Sequence, residues 1–94
     1  MNTGKLITSE QINSIGGQTR RFKSGFLHTV NLSEAEIAID DQWVRQLIGQ
    51  TKLVELNLEG TAITDLALET LRKLPSLETL DLSETHITDH ALDT

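Results

Sequence analysis

The sequence predicts an α/β fold, a solenoid in which short parallel strands alternate with helices. A sixteen-residue pattern that begins at Leu53 recurs 24 residues later at Leu77, with more than half of the paired positions identical. Each copy opens with leucines that alternate with polar residues, which is typical of a half-buried strand, and the first copy continues with leucines at helical spacing. Repeated strand–helix units bury their apolar faces against one another, so they favour a parallel sheet with helices on one side.

Length, composition and charge narrow the range of functions. The 94 residues suffice for one domain, and the absence of cysteine excludes disulfides, thiolate metal sites and thiol catalysis. No signal peptide or membrane-spanning segment is visible, so a cytoplasmic location and no membrane partner are expected. Residues 1–25 carry a charge of +3 and residues 26–94 a charge of -9. An acidic body repels phosphate, so nucleic acid is not expected as a partner.

Residues 1–26 are predicted to form an amino-terminal helical cap followed by a basic connector. Thr8 and Gln11 form a possible capping box for a helix over residues 9–16, and the Gly16-Gly17 pair can end it. Residues 18–25 are interpreted as the polar, basic connector. We expect Phe22 and Phe26 to join an apolar cluster that seals the first repeat.

The basic cluster of this connector consists of Arg20, Arg21 and Lys23. It is too short for a convincing nucleic-acid or membrane site, and a solvated connector is the favoured interpretation. Its charge also complements the acidic body. The head of one chain could therefore contact the face or the open end of a second chain.

Residues 27–94 are predicted to be the repeats, with 27–52 degenerate, 53–76 regular and 77–94 incomplete. In the regular repeat, alternation places Leu56 and Leu58 on the buried side of a strand. Asp65 is expected to be the N-cap of a helix whose inward leucines end at Leu74, and Pro75 is expected to end that helix. The inward leucines of this helix are Leu68, Leu71 and Leu74.

Two positions of the degenerate repeat depart from the pattern. Ala35 stands where the later copies have Thr61 and Thr85, so the first turn lacks a hydroxyl and is expected to be irregular. Trp43 stands in a slot that holds alanine in the other copies. It either packs against the neighbouring helix, which is the favoured reading, or lies partly exposed as an anchor.

This spacing resembles the leucine-rich repeat, L-x-x-L-x-L-x-x-N/C-x-L, with Thr61 and Thr85 at the usual Asn or Cys position and Ile-Thr-Asp following. It is similar to the Thr-Asp variant related to the cysteine-containing class. The resemblance implies a sheet on the concave side, helices on the convex side, and a protein–protein interaction module that binds its partner on the concave face. No F-box is visible, so a role in ubiquitin ligases is not carried over.

The resemblance places the candidate partner-binding residues in columns across the concave face. The face would be polar, acidic and suited to a basic segment of a protein partner. The alternative is that these are merely solvated strand residues, and the lack of Trp, Tyr and Arg among them predicts weak affinity. The candidates are Thr29, Glu55 and Thr79, then Asn31, Asn57 and Asp81, then Ser33, Glu59 and Ser83, flanked by Glu34 and Glu84.

No pattern in the sequence supports an enzyme, a cofactor or a metal site. His86 and His90 are four residues apart with Asp89 and Asp93 nearby, but one histidine falls in a turn and the other at a helix start. No serine is paired with a recognisable base and orienting acid, and no glycine-rich phosphate loop is present.

The sequence ends where the third helix should begin, without a polar carboxy-terminal cap. Such an end would leave Leu80, Leu82, Ile87 and Leu92 partly uncovered beside an open strand edge. Three accounts stay open: a fragment of a longer array, an end covered by a second copy or another partner, or a frayed end. A structural or self-associating segment is therefore the alternative to a binding module.

Overall fold

The fold is a small mixed α/β arrangement built on one four-stranded sheet. The computed structural model describes residues 6–88, and the sheet order is β1-β2-β3-β4. The elements are α1 (Ser9–Ser14), β1 (Gln18–Arg21), β2 (Leu27–Asn31), α2 (Asp41–Val44) continued by a 3-10 turn (Arg45–Leu47), β3 (Glu55–Asn57), α3 (Ala67–Leu71) and β4 (Thr79–Asp81). Strands β2, β3 and β4 are parallel, whereas β1 runs antiparallel to β2.

The register of the parallel strands follows the sequence repeat. Val30 lies beside Leu56, and Leu56 lies beside Leu80. Backbone bonds join the same positions of successive repeats, since the Leu32 N–H donates to the Asn57 carbonyl and the Leu58 N–H to the Asp81 carbonyl. The alternation prediction is confirmed, because Leu56 and Leu58 are buried while Glu55 and Asn57 face the other way.

Strand β1 lies within residues 18–25, and the expectation that these residues form only a connector is wrong. Gln18–Arg21 pairs with β2, with a bulge between Arg20 and Arg21, and the Phe22 N–H donates to the Phe26 carbonyl across the hairpin. The strand was missed because it carries no apolar residue. It lies at the sheet edge, where neither of its faces is fully buried.

The amino-terminal helix agrees with its sequence signals. The Gln11 N–H donates to the Thr8 hydroxyl and the Thr8 N–H to the Gln11 side chain, which confirms the capping box. The helix ends before Gly16, whose φ of 91° is in the left-handed region. A Cβ at Gly17 would lie 2.6 Å from the Ile12 side chain, so glycine also permits close packing there.

The helix of the regular repeat is shorter than predicted. It ends at Leu71, well before Pro75, although Leu74 remains buried beyond it. Its N-cap is Leu66, without a side-chain hydrogen bond, so the prediction that Asp65 caps this helix is wrong. The Asp65 carboxylate instead accepts hydrogen bonds from Thr88 of the following repeat.

Within residues 6–88, neighbouring repeats cover the core, and the cover is least complete at β4. Leu56 is 1% exposed, whereas Leu80, its equivalent in the next repeat, is 37% exposed. Leu82 and Ile87 are half-buried, although their counterparts one repeat earlier are fully buried. The expectation of a partly uncovered end holds for these three residues, and Leu92 lies outside the described part of the chain.

The turns after the strands also differ between repeats. The Thr61 hydroxyl donates to the Leu58 carbonyl at 2.8 Å, and the Thr85 hydroxyl makes the same bond to Leu82. Ala35 has no hydroxyl and keeps only its backbone N–H bond to Leu32. Residues before these positions differ too, since Gly60 and Glu84 have positive φ angles of 72° and 58°, unlike Glu34 in the first turn.

The aromatic side chains only partly follow the expectations. Phe22 and Phe26 are 40% and 45% exposed, so they do not seal the first repeat, and the expectation of a sealing cluster is wrong. They lie at the tip of the β1–β2 hairpin, where the Phe22 ring meets the His28 ring edge-on at 4.8 Å. Trp43 is half-buried and packs against the core.

Candidate functional site

One face of the sheet is polar along its whole width. Residues paired across strands point to the same face, and Val30, Leu56 and Leu80 take the core side. The residues on either side of them therefore form two rows on the opposite face, which we call the polar face. Its first row is Arg20, Thr29, Glu55 and Thr79, and its second row is Gln18, Asn31, Asn57 and Asp81.

The register thus brings together two of the three columns predicted from the sequence, and it adds the two residues of β1. Gln18 and Arg20 were missed because their segment was interpreted as a connector. The charge split along the chain was the available signal, since it separated a basic segment from an acidic one before either was placed. In the rows, basic and acidic side chains are separated across the sheet. Arg20 lies on β1 at one edge, Glu55 lies two strands away on β3, and Asp81 lies three strands away on β4.

Three residues of the second row form hydrogen-bonded turns at the ends of their strands. The side-chain oxygens of Asn31, Asn57 and Asp81 each accept the backbone N–H of the residue two positions later, at 2.9 Å in every case. Such Asx turns fix the chain where it leaves a strand. Hydrogen bonds from the Ser83 side chain and backbone lower the pKa of Asp81 below its usual value of 3.8. This carboxylate is therefore charged at neutral pH.

The first row differs from the second in its hydrogen bonding, because its residues lie before the ends of the parallel strands. The Thr29 hydroxyl lies 2.6 Å from Nδ1 of His28, whereas Glu55 is half-buried between its strand neighbours. Glu55 is flanked by threonines on both adjacent strands, Thr29 and Thr79. Its carboxylate is thus the charged centre of this row, with Arg20 beyond Thr29.

The remaining predicted site residues follow the strand ends. Ser33 is half-buried and its hydroxyl donates to Oδ1 of Asn31 at 2.7 Å. Glu34, Glu59 and Glu84 are exposed, as is Ser83. These three glutamates form an acidic rim along one border of the polar face.

Side-chain clamps between successive repeats hold the rows in register. The Asp41 carboxylate accepts the Thr64 N–H at 2.8 Å and the Thr64 hydroxyl at 2.6 Å. One repeat later, the Asp65 carboxylate accepts the same two donors of Thr88 at 2.8 and 2.9 Å. The Thr-Asp dipeptide therefore joins units, with its threonine bonded backwards and its aspartate forwards. Its recurrence at 24 residues was the sequence signal for this role.

The remaining chemistry-bearing residues lie apart from one another. Among residues 6–88, no three His, Cys, Asp or Glu side chains are close enough to hold a metal ion. His86 is exposed, forms an isolated parallel β-bridge with Thr64, and donates its backbone N–H to the Ile63 carbonyl. His90, Asp89 and Asp93 lie outside the described residues. Within that same span, no helix is long and apolar enough to cross a membrane.

Comparison with known proteins matches part of the chain to a family model. Residues 51–89 match a family model described as leucine-rich repeats in two copies. No curated protein and no solved structure matches the chain. The matched region holds β3, α3 and β4. Leucine-rich repeats are generally non-enzymatic modules for protein–protein interaction. This match covers less than half of the chain and agrees with the register of β3 and β4, so it supports leucine-rich repeats over residues 51–89.

Proposed function

We propose that the chain is a protein-binding module that engages a basic segment of its partner through the polar face. In this proposal the polar face is the concave side of a leucine-rich-repeat solenoid, with the helices on the convex side. The repeats would be of the Thr-Asp variant related to the cysteine-containing class. The family match supports the coarser statement that the chain mediates protein–protein interaction.

The observation that carries the proposal is the continuous polar surface made by strands in register. Glu55 lies on β3 in the first row, and Asp81 lies on the neighbouring strand β4 in the second row. Glu59 lies just beyond the end of β3. Three carboxylates on adjoining positions create a negative potential that attracts basic side chains. Arg20 at the far edge repels the same side chains. The partner's basic segment is therefore expected to lie over β3 and β4 and away from β1.

The composition of the face limits its affinity. Binding hot spots are enriched in Trp, Tyr and Arg, and only Arg20 of these types lies on the polar face. Attraction between exposed charges contributes about 0.2–1 kcal/mol per pair. We therefore expect a low affinity and a high association rate for binding through this face. The affinity is expected to fall as the salt concentration rises, because salt screens the charges.

The test removes the three charges while keeping the fold. The variant Glu55→Gln, Glu59→Gln, Asp81→Asn retains every side-chain volume, and asparagine makes the same turn at positions 31 and 57. Binding of a fluorescent oligoarginine peptide is measured by anisotropy at low salt. We expect the variant to weaken binding about ten-fold or more, which corresponds to about 1.4 kcal/mol.

The matched control removes three charges elsewhere. Glu10, Glu36 and Glu69 are exposed and lie outside the polar face, so their change to Gln gives the same net charge. If the two triple variants weakened peptide binding equally, the peptide would be responding to the net charge of the chain and not to the polar face. That outcome, or undiminished binding by the first variant, would overturn the polar face as the site.

A further inference from the structure

A groove lies between the β1–β2 hairpin and the start of α1. It is lined by residues 6–9, by residues 21 and 25–27 of the hairpin, and by Gln50, and we call it the hairpin groove. Its volume is about 240 Å³, and a cavity of roughly 150 Å³ accepts a benzene ring, so one apolar side chain fits. None of these residues belongs to the polar face or to the acidic rim.

The hairpin supplies the groove with one charged side chain. A bulge separates Arg20, which pairs with Thr29 on the polar face, from Arg21, which pairs with Leu27. Arg21 lines the hairpin groove, and no other residue of its described lining is charged. Within residues 6–88, no acidic side chain forms an ion pair with Arg21. Its guanidinium is therefore available to the carboxylate of a bound partner.

The apolar part of the lining is held in place by the fold. Phe26 is 45% exposed and Leu6 is 39% exposed. Leu6 packs closely against the backbone, because a Cβ at Gly49 would lie 2.5 Å from its side chain. The side chain of the buried Gln50 donates to the Ile7 carbonyl at 2.9 Å. A preformed, mostly apolar concave surface with a single charged group is typical of a binding site.

We propose that the hairpin groove binds an acidic, apolar segment of a partner protein. An apolar side chain of that segment enters the groove beside Phe26, and a neighbouring carboxylate pairs with Arg21. Charge complementarity selects this occupant, since the planar guanidinium can donate two parallel N–H bonds to one carboxylate. Phenylalanine and arginine are also enriched in protein interfaces. The hairpin groove thus offers the aromatic contact that the polar face lacks.

The shape of the groove favours a peptide over a membrane or a single-stranded nucleic acid. Insertion into a membrane surface requires apolar side chains that are exposed together, and base stacking requires an open ring face. Phe26 instead borders a concave groove, and the Phe22 ring packs edge-on against His28. A side chain of a peptide is the group that a groove of this size accepts.

The test uses the full chain and a fluorescent peptide of four Glu-Leu repeats. Anisotropy is measured at physiological ionic strength, which screens the long-range repulsion between the acidic body and the peptide. We expect this peptide to bind. Peptides of four Glu-Ser repeats and of four Gln-Leu repeats are expected to bind at least about ten-fold more weakly, because one lacks the apolar side chains and the other the carboxylates.

Two substitutions in the groove have matched controls outside it. We expect Phe26→Ala and Arg21→Gln each to weaken binding of the Glu-Leu peptide about ten-fold. The control Phe22→Ala removes a similarly exposed ring of the same hairpin that does not line the groove. The control Arg45→Gln removes an exposed guanidinium elsewhere. Both controls are expected to retain binding. Since all four side chains are exposed, each variant is expected to fold.

Amide chemical shifts measured by NMR during the peptide titration locate the contact. We expect the largest changes at residues 21–27 and at the side-chain amide of Gln50, with the side-chain amide of Asn57 on the polar face unchanged. Oligoarginine binding is expected to be unchanged in Phe26→Ala, so the failure of either proposed site is seen separately.

Several results would overturn the proposal. These are no binding of the Glu-Leu peptide, equal binding of the Glu-Ser peptide, shift changes confined to the polar face, or equal weakening by Phe22→Ala and Phe26→Ala. Without peptide binding, Phe26-dependent binding to anionic vesicles, to a single-stranded oligonucleotide or to a second copy of the chain would overturn it as well.

Discussion

The clamp between Asp41 and Thr64 gives the most direct test of how the repeats are joined. In the variant Asp41→Ala, the Thr64 N–H and hydroxyl both lose their acceptor. Hydrogen bonds to charged groups contribute about 1.5–3 kcal/mol each. Asp41 is only half-buried, and water replaces part of this loss. We therefore expect the free energy of unfolding to fall by roughly 2–3 kcal/mol in total.

The expected change is large for a chain of this size. A loss of 1 kcal/mol lowers Tm by about 4–8 °C in a domain of 60–100 residues, so Asp41→Ala is expected to lower it by roughly 10–20 °C. Urea denaturation followed by the fluorescence of Trp43 is the suitable assay, because this single tryptophan lies in α2 beside the clamp. The equivalent Asp65→Ala is expected to cost less, about 1 kcal/mol, since the Thr88 bonds lie in an exposed region.

A double-mutant cycle isolates the hydroxyl bond. Thr64→Val removes the hydroxyl but keeps the shape and the N–H, so its coupling to Asp41→Ala is expected to be about 1 kcal/mol. Glu36→Ala is the control, because it removes an exposed carboxylate that lies outside the clamp. The reasoning is refuted if Asp41→Ala destabilises no more than Glu36→Ala, or if the two changes at the clamp are additive.

Three further changes test the turns and the strand ends. Glu84→Asn is expected to stabilise the chain by about 0.5–1 kcal/mol in thermal unfolding, because asparagine tolerates the φ of 58° better than glutamate does. Thr61→Val is expected to cost about 1–2 kcal/mol in the same assay, because it removes the buried bond to the Leu58 carbonyl. In an NMR titration, Asp81 is expected to have a pKa below 3.8, and Ser83→Ala is expected to raise it.

The sign of the Asp81 effect follows from its lowered pKa. A carboxylate with a depressed pKa stabilises the fold at pH values above its unfolded pKa, and this contribution disappears as the pH falls through the folded value. Stability from this group is therefore expected to be complete above about pH 5 and to fall below pH 4. An unchanged Asp81 pKa in Ser83→Ala, a neutral Thr61→Val or a destabilising Glu84→Asn would each contradict the local geometry described above.

Sequence periodicity predicted the parallel strands well. The 24-residue repeat and the alternation of leucine with polar residues both result from packing the leucines of successive strands into one core. Leu56 and Leu58 had to be buried together, and Glu55 had to face away from them. The two rows of the polar face followed from this register. The capping box at Thr8 was equally predictable, because it depends only on residues three apart.

The errors arose where long-range contacts decide the structure. Strand β1 carries no apolar signal, since its pairing with β2 rather than burial determines its conformation. Asp65 precedes a helix, as an N-cap would, yet its oxygens bind Thr88, which is 23 residues away. Exposure of Phe22 and Phe26 follows from the hairpin, which carries them to its tip.

The clamps have a consequence for how such a chain can change in length. Asp41 and Asp65 bind threonines that lie the same distance ahead in sequence, through the same pair of donors. Excising residues 53–76 would remove one strand and present Asp41 with Thr88 in place of Thr64, whereas duplicating them would add one strand and one clamp. Duplication of one 24-residue unit therefore keeps the pairing between each aspartate and its threonine, whereas an insertion of any other length between the two partners would misalign them.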